Sequence, residues 1–189
     1  MENSNKPRAE MGLIRKAAAG DMTAYAQLVS ENRERVLRAA YGVLGSIEEA
    51  EDAAQDVFVK AWQKLETYNG EASFSSWLYR ITVNTSIDVL RRRREQTGLD
   101  QQMAEKTYGP EDRMLQNDAQ RQIRQAVDEL PDGSRAVIIL REYEQLSYKE
   151  IAEILEIPIG TVMSRLNYAR RRLRETLTRQ GVTLVESSL

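Results

Sequence analysis

The sequence contains neither cysteine nor histidine, and its 189 residues include only 10 glycines and 4 prolines. Without cysteine there are no disulfides, no thiolate zinc sites and no thiol nucleophiles. Without histidine the chain lacks the commonest general base and the commonest metal ligand. We therefore predict no catalytic residues, no bound metal and no cofactor, and the scarcity of glycine and proline favours long uninterrupted helices.

Long apolar runs are also missing. The longest, Ala136 to Leu140, is far shorter than the ~20 residues that a membrane-spanning helix needs. The first ten residues are polar and lack the apolar centre of a signal peptide. These features predict a cytoplasmic protein with no direct membrane insertion.

Charge is nearly balanced, with 27 Lys+Arg against 29 Asp+Glu, but it is unevenly distributed. Residues 48–56 carry five acidic side chains and no basic one. Residues 91–94 are four consecutive arginines, and residues 165–179 hold six arginines against one glutamate. Local basic patches of this kind are typical of nucleic-acid binding, although a charge run can also be a solvated face.

Apolar residues recur at helical spacing almost throughout, which predicts an all-α fold. Periodicity fails over residues 95–117, which we interpret as a flexible linker between two small helical domains at 1–94 and 118–189, the second ending in a frayed tail. The predicted helices are Met11 to Ala19, Asp21 to Leu44, one starting at Ser46, Phe74 to Arg94, Asp118 to Leu130, Ser134 to Tyr143, Ser147 to Leu155, and Gly160 to Thr178. Capping boxes are predicted at Ser46 with Glu49 and at Ser147 with Glu150.

The stretch LSYKEIAEILEIPIGTVMSRLNYARRRL (146–173) has the pattern of a helix-turn-helix. Its second helix places Val162, Leu166, Ala169 and Leu173 inward. The alternative is an ordinary helical hairpin with a charged face. If this helix enters the major groove, its outward residues would contact DNA: Thr161, Met163, Ser164, Arg165, Asn167, Tyr168, Arg170, Arg171 and Arg172.

Two further surfaces are indicated in the first domain. Arg80, Asn84 and Arg91 lie on one face of the fourth helix, whose first turn carries the aromatic residues Phe74, Trp77 and Tyr79. Aromatic rings beside a basic face suit unpaired bases, although aromatics on an amphipathic helix are more often core residues, and the sequence does not decide this for Trp77. The acidic face of the third helix fits either solvent or a basic partner; it comprises Glu48, Asp52, Gln55, Asp56 and Gln63.

Three segments together resemble a known family. EAEDAAQDVFVKAW (49–62), SFSSWLYRITVNTSIDVLRRRR (73–94) and the helix-turn-helix are similar, in order and separation, to bacterial sigma factors of the extracytoplasmic-function class. That class keeps only the second and fourth sigma domains. The resemblance covers roughly residues 11–94 and 118–177. It implies a promoter-specificity subunit of RNA polymerase that is not an enzyme, responsive to stress or to the envelope and controlled by an anti-sigma factor.

The resemblance also implies roles for residues. The family's acidic motif falls on Asp52, Gln55 and Asp56, which would dock on the clamp helices of the polymerase's largest subunit, while the fourth domain would meet the flap of the second-largest. The minus-ten promoter element would be captured by Tyr68, Asn69, Gly70, Glu71, Ala72, Ser73, Trp77, Arg80, Asn84 and Arg91. The minus-thirty-five element would be read by Thr161, Met163, Ser164, Arg165, Asn167, Tyr168, Arg170 and Arg171. At positions 163 and 167 this sequence departs from the residues common in the family, which leaves the base preference open.

Two other functions remain open at this stage. A duplex-binding regulator would dimerise through its N-terminal helices and bind a palindrome without polymerase. A helical nucleic-acid enzyme or RNA-binding adaptor is the other alternative, but the acids of residues 48–56 lie along one helix face and do not converge from several elements as metal ligands do.

Overall fold

The computed structural model describes residues 6–97 and 118–181, and every regular element in those two ranges is helical. The all-α prediction is confirmed for this part of the chain. Residues 98–117 of the predicted linker and the tail from 182 lie outside the described residues. The first domain contains α1 (Lys6–Ala18), α2 (Met22–Leu44), α3 (Ile47–Lys64), a 3₁₀ turn (Leu65–Thr67) and α4 (Phe74–Thr97). The second contains α5 (Asp118–Asp128), α6 (Asp132–Glu142), α7 (Tyr148–Leu155) and α8 (Ile159–Arg179).

The helix ends follow the local sequence closely. Asp21 caps α2, since its carboxylate accepts hydrogen bonds from the amides of Thr23 at 2.9 Å and Ala24 at 3.0 Å. At the other end Gly45 takes the left-handed conformation, with φ +78°, that suits glycine after a helix. The first and fourth helices are longer than predicted: α1 starts at Lys6 and α4 runs to Thr97. Pro7 is tolerated in α1 because the first turn of a helix does not use its amide donors.

The predicted capping box of α3 is only half formed. Ser46 accepts a 3.3 Å hydrogen bond from the Glu49 amide, as expected. The Glu49 carboxylate does not return to Ser46 but pairs at 3.0 Å with Arg93 of α4. The cap at Ser46 therefore remains, while Glu49 instead ties two helices together.

The helix-turn-helix has the predicted form. Ser147 and Glu150 make a complete capping box at the start of α7, and the turn passes through Glu156 in the left-handed region, with φ +53°. The four inward residues of α8, Val162, Leu166, Ala169 and Leu173, are all buried. On α7 the buried residues are Ile151, at 0% exposure, and Ile154, at 3%.

The aromatic residues at the start of α4 belong to the core of the first domain. Phe74 is 2% exposed and Trp77 is 8% exposed, and the two rings stack with centroids 5.5 Å apart. Tyr68 packs edge-on to Phe74 at 5.7 Å. Trp77, whose position the sequence left open, is therefore a core residue in this structure.

The two domains share one hydrophobic cluster. Ala39 of α2 and Tyr79 and Val83 of α4 are buried together with the core of the second domain. Gly42 of α2 allows the closest approach, because a Cβ at this position would lie only 2.6 Å from Cγ2 of Ile139 in α6. The domains are thus packed against each other, which the sequence pattern did not predict.

Two buried arginines complete this contact. Arg124 of α5 donates from Nη1 to the carbonyls of Tyr41 at 3.1 Å and Gly42 at 2.9 Å, while Arg135 of α6 donates at 3.0 Å to Val43. The carbonyls of Gly42 and Val43 lie in the last turn of α2, where a helix has no internal donors for them, whereas the Tyr41 carbonyl also accepts a 2.8 Å hydrogen bond from the Gly45 amide. The guanidinium groups of the second domain therefore provide hydrogen-bond donors for the C-terminal carbonyls of a first-domain helix.

The capping box at Ser147 predicts a pH-dependent contribution to stability. Hydrogen bonds from Ser147 lower the pKa of Glu150, so its stabilising effect is present at neutral pH and is lost as pH falls below the ordinary glutamate range. Glu150→Gln keeps a hydrogen-bond acceptor but removes the negative charge in the first turn of α7, so it should lower the free energy of unfolding by about 0.3–1 kcal/mol at pH 7. The effect of the same substitution should be smaller near pH 3, because protonation of the wild-type carboxyl progressively removes that charge as the pH falls. Urea unfolding at both pH values measures this, and an equal loss at both would contradict it.

Candidate nucleic-acid and polymerase interfaces

The polar face of α3 is open to solvent. Asp52, Gln55 and Asp56 are all exposed and follow one another at helical spacing. Within the ion pairs of residues 6–97 and 118–181, neither Asp52 nor Asp56 takes part. Two carboxylates held on a rigid helix without an internal partner form a surface suited to a basic partner.

Val59 extends this face and was missed by the sequence reasoning. It follows Asp56 by one helical step and is 56% exposed, which is unusual for valine inside an otherwise amphipathic helix. A helical wheel of α3 could have revealed Val59, because it is the single apolar residue on the polar side of that wheel. We name the acidic stripe as Asp52, Gln55, Asp56 and Val59.

The loop before α4 is ordered by its own hydrogen bonds. Tyr68 donates from its hydroxyl to the Ala72 carbonyl at 2.7 Å, and the Asn69 side chain accepts from the Glu71 amide at 3.1 Å. Gly70 provides the positive φ, +76°, that the turn requires. Burial raises the pKa of Tyr68, which keeps its hydroxyl protonated as a donor.

This loop encloses a cavity of about 200 Å³. Among the predicted minus-ten residues, those lining it are Tyr68, Asn69, Glu71, Ala72, Trp77 and Arg80. Ser73 instead accepts a hydrogen bond from the Ser76 amide at 3.1 Å and so acts as a cap. The second domain contributes two more residues to the wall, Glu153 and Ile154 of α7.

The predicted basic face of α4 is only partly available. Asn84 is exposed, while Arg80 forms a 2.7 Å ion pair with Glu156 of the second domain. Arg91 is exposed and lies 3.5 Å from Asp88 on its own helix. The arginine run of residues 91–94 does not form a single patch, since Arg93 pairs with Glu49 and Arg94 with Asp132. Of the four arginines predicted to form one basic patch, Arg91 and Arg92 are therefore the two that remain in it.

Helix α8 presents a mixed outward surface. Met163 is 48% exposed, and Ser164, Asn167, Tyr168 and Arg171 are also exposed. Two of the predicted arginines contact other residues of their own domain. Arg165 lies against Gly133, and Arg170 forms a 2.8 Å ion pair with Glu142. This pairing raises the pKa of Arg170. Thr161 is half-buried, and its carbonyl accepts a 3.0 Å hydrogen bond from Ser164.

Comparisons with known proteins agree with this arrangement. The family model described as Sigma-70 region 2 matches residues 28–96, and that described as Sigma-70, region 4 matches residues 120–173. The chain is 35% identical to the ECF RNA polymerase sigma factor SigW of Bacillus subtilis, over 87% of this chain and 94% of that protein. It is 33% identical to the RNA polymerase sigma-H factor of Pseudomonas aeruginosa, over 87% and 92% respectively. The chain belongs to the extracytoplasmic-function sigma factors.

Solved structures show the same relationship. CnrH in complex with the cytosolic domain of CnrY aligns with a TM-score of 0.69 and 27% identity, covering 90% of this chain and 98% of that one. The sigma factor RpoE of Bartonella quintana, solved with the anti-sigma factor NepR, aligns with a TM-score of 0.64 and 27% identity, over 82% and 96% respectively. As a sigma factor, the chain is a promoter-specificity subunit that acts in transcription initiation.

Two negative findings apply to the described part of this sigma factor. No helix within residues 6–97 and 118–181 is both long and apolar enough to cross a membrane. In the same residues no group of three or more acidic side chains is arranged to hold a metal ion.

The order of the loop predicts a measurable effect of its tyrosine hydroxyl. Tyr68→Phe removes the donor to the Ala72 carbonyl and should lower the free energy of unfolding by about 1 kcal/mol. Tyr143→Phe is the matched control, because Tyr143 is 52% exposed and its hydroxyl should contribute almost nothing. Urea unfolding of the two variants measures the difference; equal stabilities would mean that the loop hydrogen bond is dispensable.

Proposed function

We propose that three surfaces of this sigma factor each perform one part of promoter recognition. The acidic stripe docks on the clamp helices of the polymerase's largest subunit. The loop at residues 68–73 and the exposed side of α4 capture the melted minus-ten strand. Helix α8 reads the minus-thirty-five duplex, while the second domain meets the flap of the second-largest subunit. The proposed boundaries are 1–94 and 118–189, with a linker at 95–117.

The observation that carries this proposal is the state of Asp52 and Asp56. Both carboxylates are exposed and outside the ion pairs of the described residues, although arginines are plentiful in the same domain. Charges that a chain leaves unpaired on a rigid helix are available to a partner of opposite sign. Val59 adds apolar area at the end of the stripe, where a partner would exclude water.

In this proposal the free energy of binding alone drives promoter opening, so the chain needs no catalytic residues for that step. Separating a base step costs ~1.4 kcal/mol, and contacts to flipped bases in the loop cavity and on α4 offset that cost. Two domains on one chain also raise each other's effective concentration at a promoter that carries both elements.

We further propose an anti-sigma partner. The two solved relatives described above are each bound to another protein, and NepR, the partner of RpoE, is an anti-sigma factor. A protein covering the acidic stripe would compete directly with polymerase for the same carboxylates. Such competition would keep the chain inactive until the partner is removed.

Reversing the charge of the stripe tests polymerase docking. Asp52→Arg with Asp56→Arg should weaken binding to purified core RNA polymerase by at least about 100-fold, because two attractive pairs become repulsive. The control is Glu31→Arg with Glu34→Arg, which changes the net charge equally at exposed positions on another helix, α2. Both variants should retain wild-type helical circular dichroism. Unchanged polymerase affinity of the folded stripe variant would refute the docking face.

Asn84→Ala tests strand reading on α4. On a promoter selected by run-off transcription from random fragments, opening should fall about tenfold, since a side chain that hydrogen-bonds a base contributes ~1–3 kcal/mol of discrimination. Polymerase affinity should stay at the wild-type value. Gln27→Ala, an exposed amide on α2, is the control. Equal losses of opening and polymerase affinity would exclude a base-reading role for Asn84.

A further inference from the structure

The first two turns of α8 expose large apolar side chains. Ile159 is 46% exposed and Met163 is 48% exposed. They are four residues apart, so they lie one above the other on the same side of the helix. In a helix-turn-helix, the N-terminal residues of the second helix are those that contact base edges in the major groove. This apolar surface therefore lies where base contacts are expected.

Positive charge is concentrated further along the same helix. Within residues 159–166 the one charged side chain is Arg165, which lies against Gly133 of α6. Arginines then follow at positions 170, 171, 172, 174 and 179. Guanidinium groups suit the phosphate backbone, which contributes affinity without sequence information. The charge of α8 thus favours a DNA duplex as its partner, and its apolar N-terminal turns remain for the bases.

The chemistry of methionine restricts what Met163 can recognise. A thioether sulfur is only a weak hydrogen-bond acceptor, so this side chain is poorly suited to the amino, carbonyl and ring-nitrogen groups of the base edges. The apolar group that a base pair presents in the major groove is the C5 methyl group of thymine. An unbranched, flexible methionine adapts readily to such a group. The exposed side chain of Met163 is therefore matched to thymine.

We propose that Met163 recognises a thymine of the promoter duplex by packing against its C5 methyl group, with Ile159 shielding this contact from water. The inference rests on the proposed function, in which α8 reads the minus-thirty-five element. It deepens that function by assigning one chemical group of one base to one side chain. The base preference that the sequence left open at position 163 is then for thymine.

Removing a single methyl group from the DNA tests the contact. A promoter is first selected from random fragments by the wild-type chain with core RNA polymerase. Each thymine of its upstream element is then replaced in turn by deoxyuridine, which lacks only the methyl group. At one thymine the replacement should weaken holoenzyme binding about fourfold, the effect of burying one apolar carbon group. Equal affinities at every thymine would overturn the inference, as would a selected element with no thymine on either strand.

Variants of the chain show whether Met163 makes that contact. Met163→Ala should bind the thymine and deoxyuridine promoters equally, whereas Met163→Leu, which stays large and apolar, should keep most of the fourfold ratio. Asn167→Ala, one turn further along the exposed side, is the matched control: it should weaken binding to both promoters and leave their ratio unchanged. Because each ratio is taken within one variant, a general loss of folding or polymerase binding cancels. A fourfold ratio that persists in Met163→Ala would contradict the inference.

The converse change adds the methyl group without restoring thymine. Replacing the critical thymine–adenine pair by cytosine–guanine should weaken binding of the wild-type holoenzyme. Substituting 5-methylcytosine for that cytosine, which places a methyl group at the same ring position, should then recover about fourfold. Met163→Ala should show no such recovery. Absence of recovery in the wild type would mean that thymine is recognised through another group, and would overturn methyl recognition.

A further control separates failure of this inference from failure of the proposed function. Exchanging the whole selected upstream element for an unrelated sequence should weaken holoenzyme binding strongly. If it does not, α8 does not read that element and the proposed function fails. A strong loss on this exchange, together with equal affinities for thymine and deoxyuridine, would overturn methyl recognition alone. Weaker binding of Met163→Ala to core polymerase without DNA would make the apolar surface a protein contact, which also contradicts the inference.

Discussion

The last turn of α2 is the point on which the arrangement of both domains depends. Its carbonyls at Gly42 and Val43 have no donors within the helix, and they are satisfied by Arg124 and Arg135 from the second domain. Arg124 also donates to the Tyr41 carbonyl, which accepts the Gly45 amide as well. These guanidinium groups also place positive charge at the negative end of the helix dipole. Burial lowers the pKa of Arg135, and the neighbouring Asp128 counteracts that effect. Buried arginines at this site require the carbonyls of α2, and those carbonyls require the arginines.

This mutual requirement explains why the contact is specific without being an inseparable core. Buried hydrophobic side chains such as Ile139 would stabilise many orientations, but guanidinium groups directed at three carbonyls stabilise one. At the same time, water can replace each of these hydrogen bonds if the domains separate, because backbone carbonyls and arginines are readily hydrated. The contact therefore combines a hydrophobic cluster with polar groups that fix its orientation.

The local structure of this sigma factor could be predicted from sequence, whereas the contact between its domains could not. Ser147 with Glu150 and the inward spacing of Val162 and Leu166 are determined within a few residues, and both predictions were confirmed. The half-formed box at Ser46 failed because Glu49 found a stronger partner, Arg93, 44 residues away. Helical periodicity indicates which face of a helix is buried, but it does not indicate which other element covers that face.

The same reasoning applies to the predicted interfaces. Asp52 and Asp56 of the acidic stripe and Met163 and Asn167 of α8 are exposed, as periodicity within one helix predicts, whereas Thr161, Arg165 and Arg170 of α8 are only half-exposed. Arg80 was predicted as a DNA contact from its position on α4, and nothing in the nearby sequence shows that Glu156 reaches it. Arg124 and Arg135 look like ordinary surface charges in the sequence, because their acceptors are carbonyls that carry no side-chain signature.

Exposure distinguishes the three proposed surfaces. The acidic stripe needs no rearrangement before it meets polymerase, and α8 already presents Met163 and Asn167 outward. The minus-ten reader is different, because Arg80 and the loop cavity are in contact with α7. A charged single-strand surface left open in the free protein would bind nucleic acid without regard to promoters, since phosphate attraction is independent of sequence. In this structure the chain's own carboxylate Glu156 neutralises Arg80 on that surface, and a phosphate would have to compete with it for the same guanidinium group.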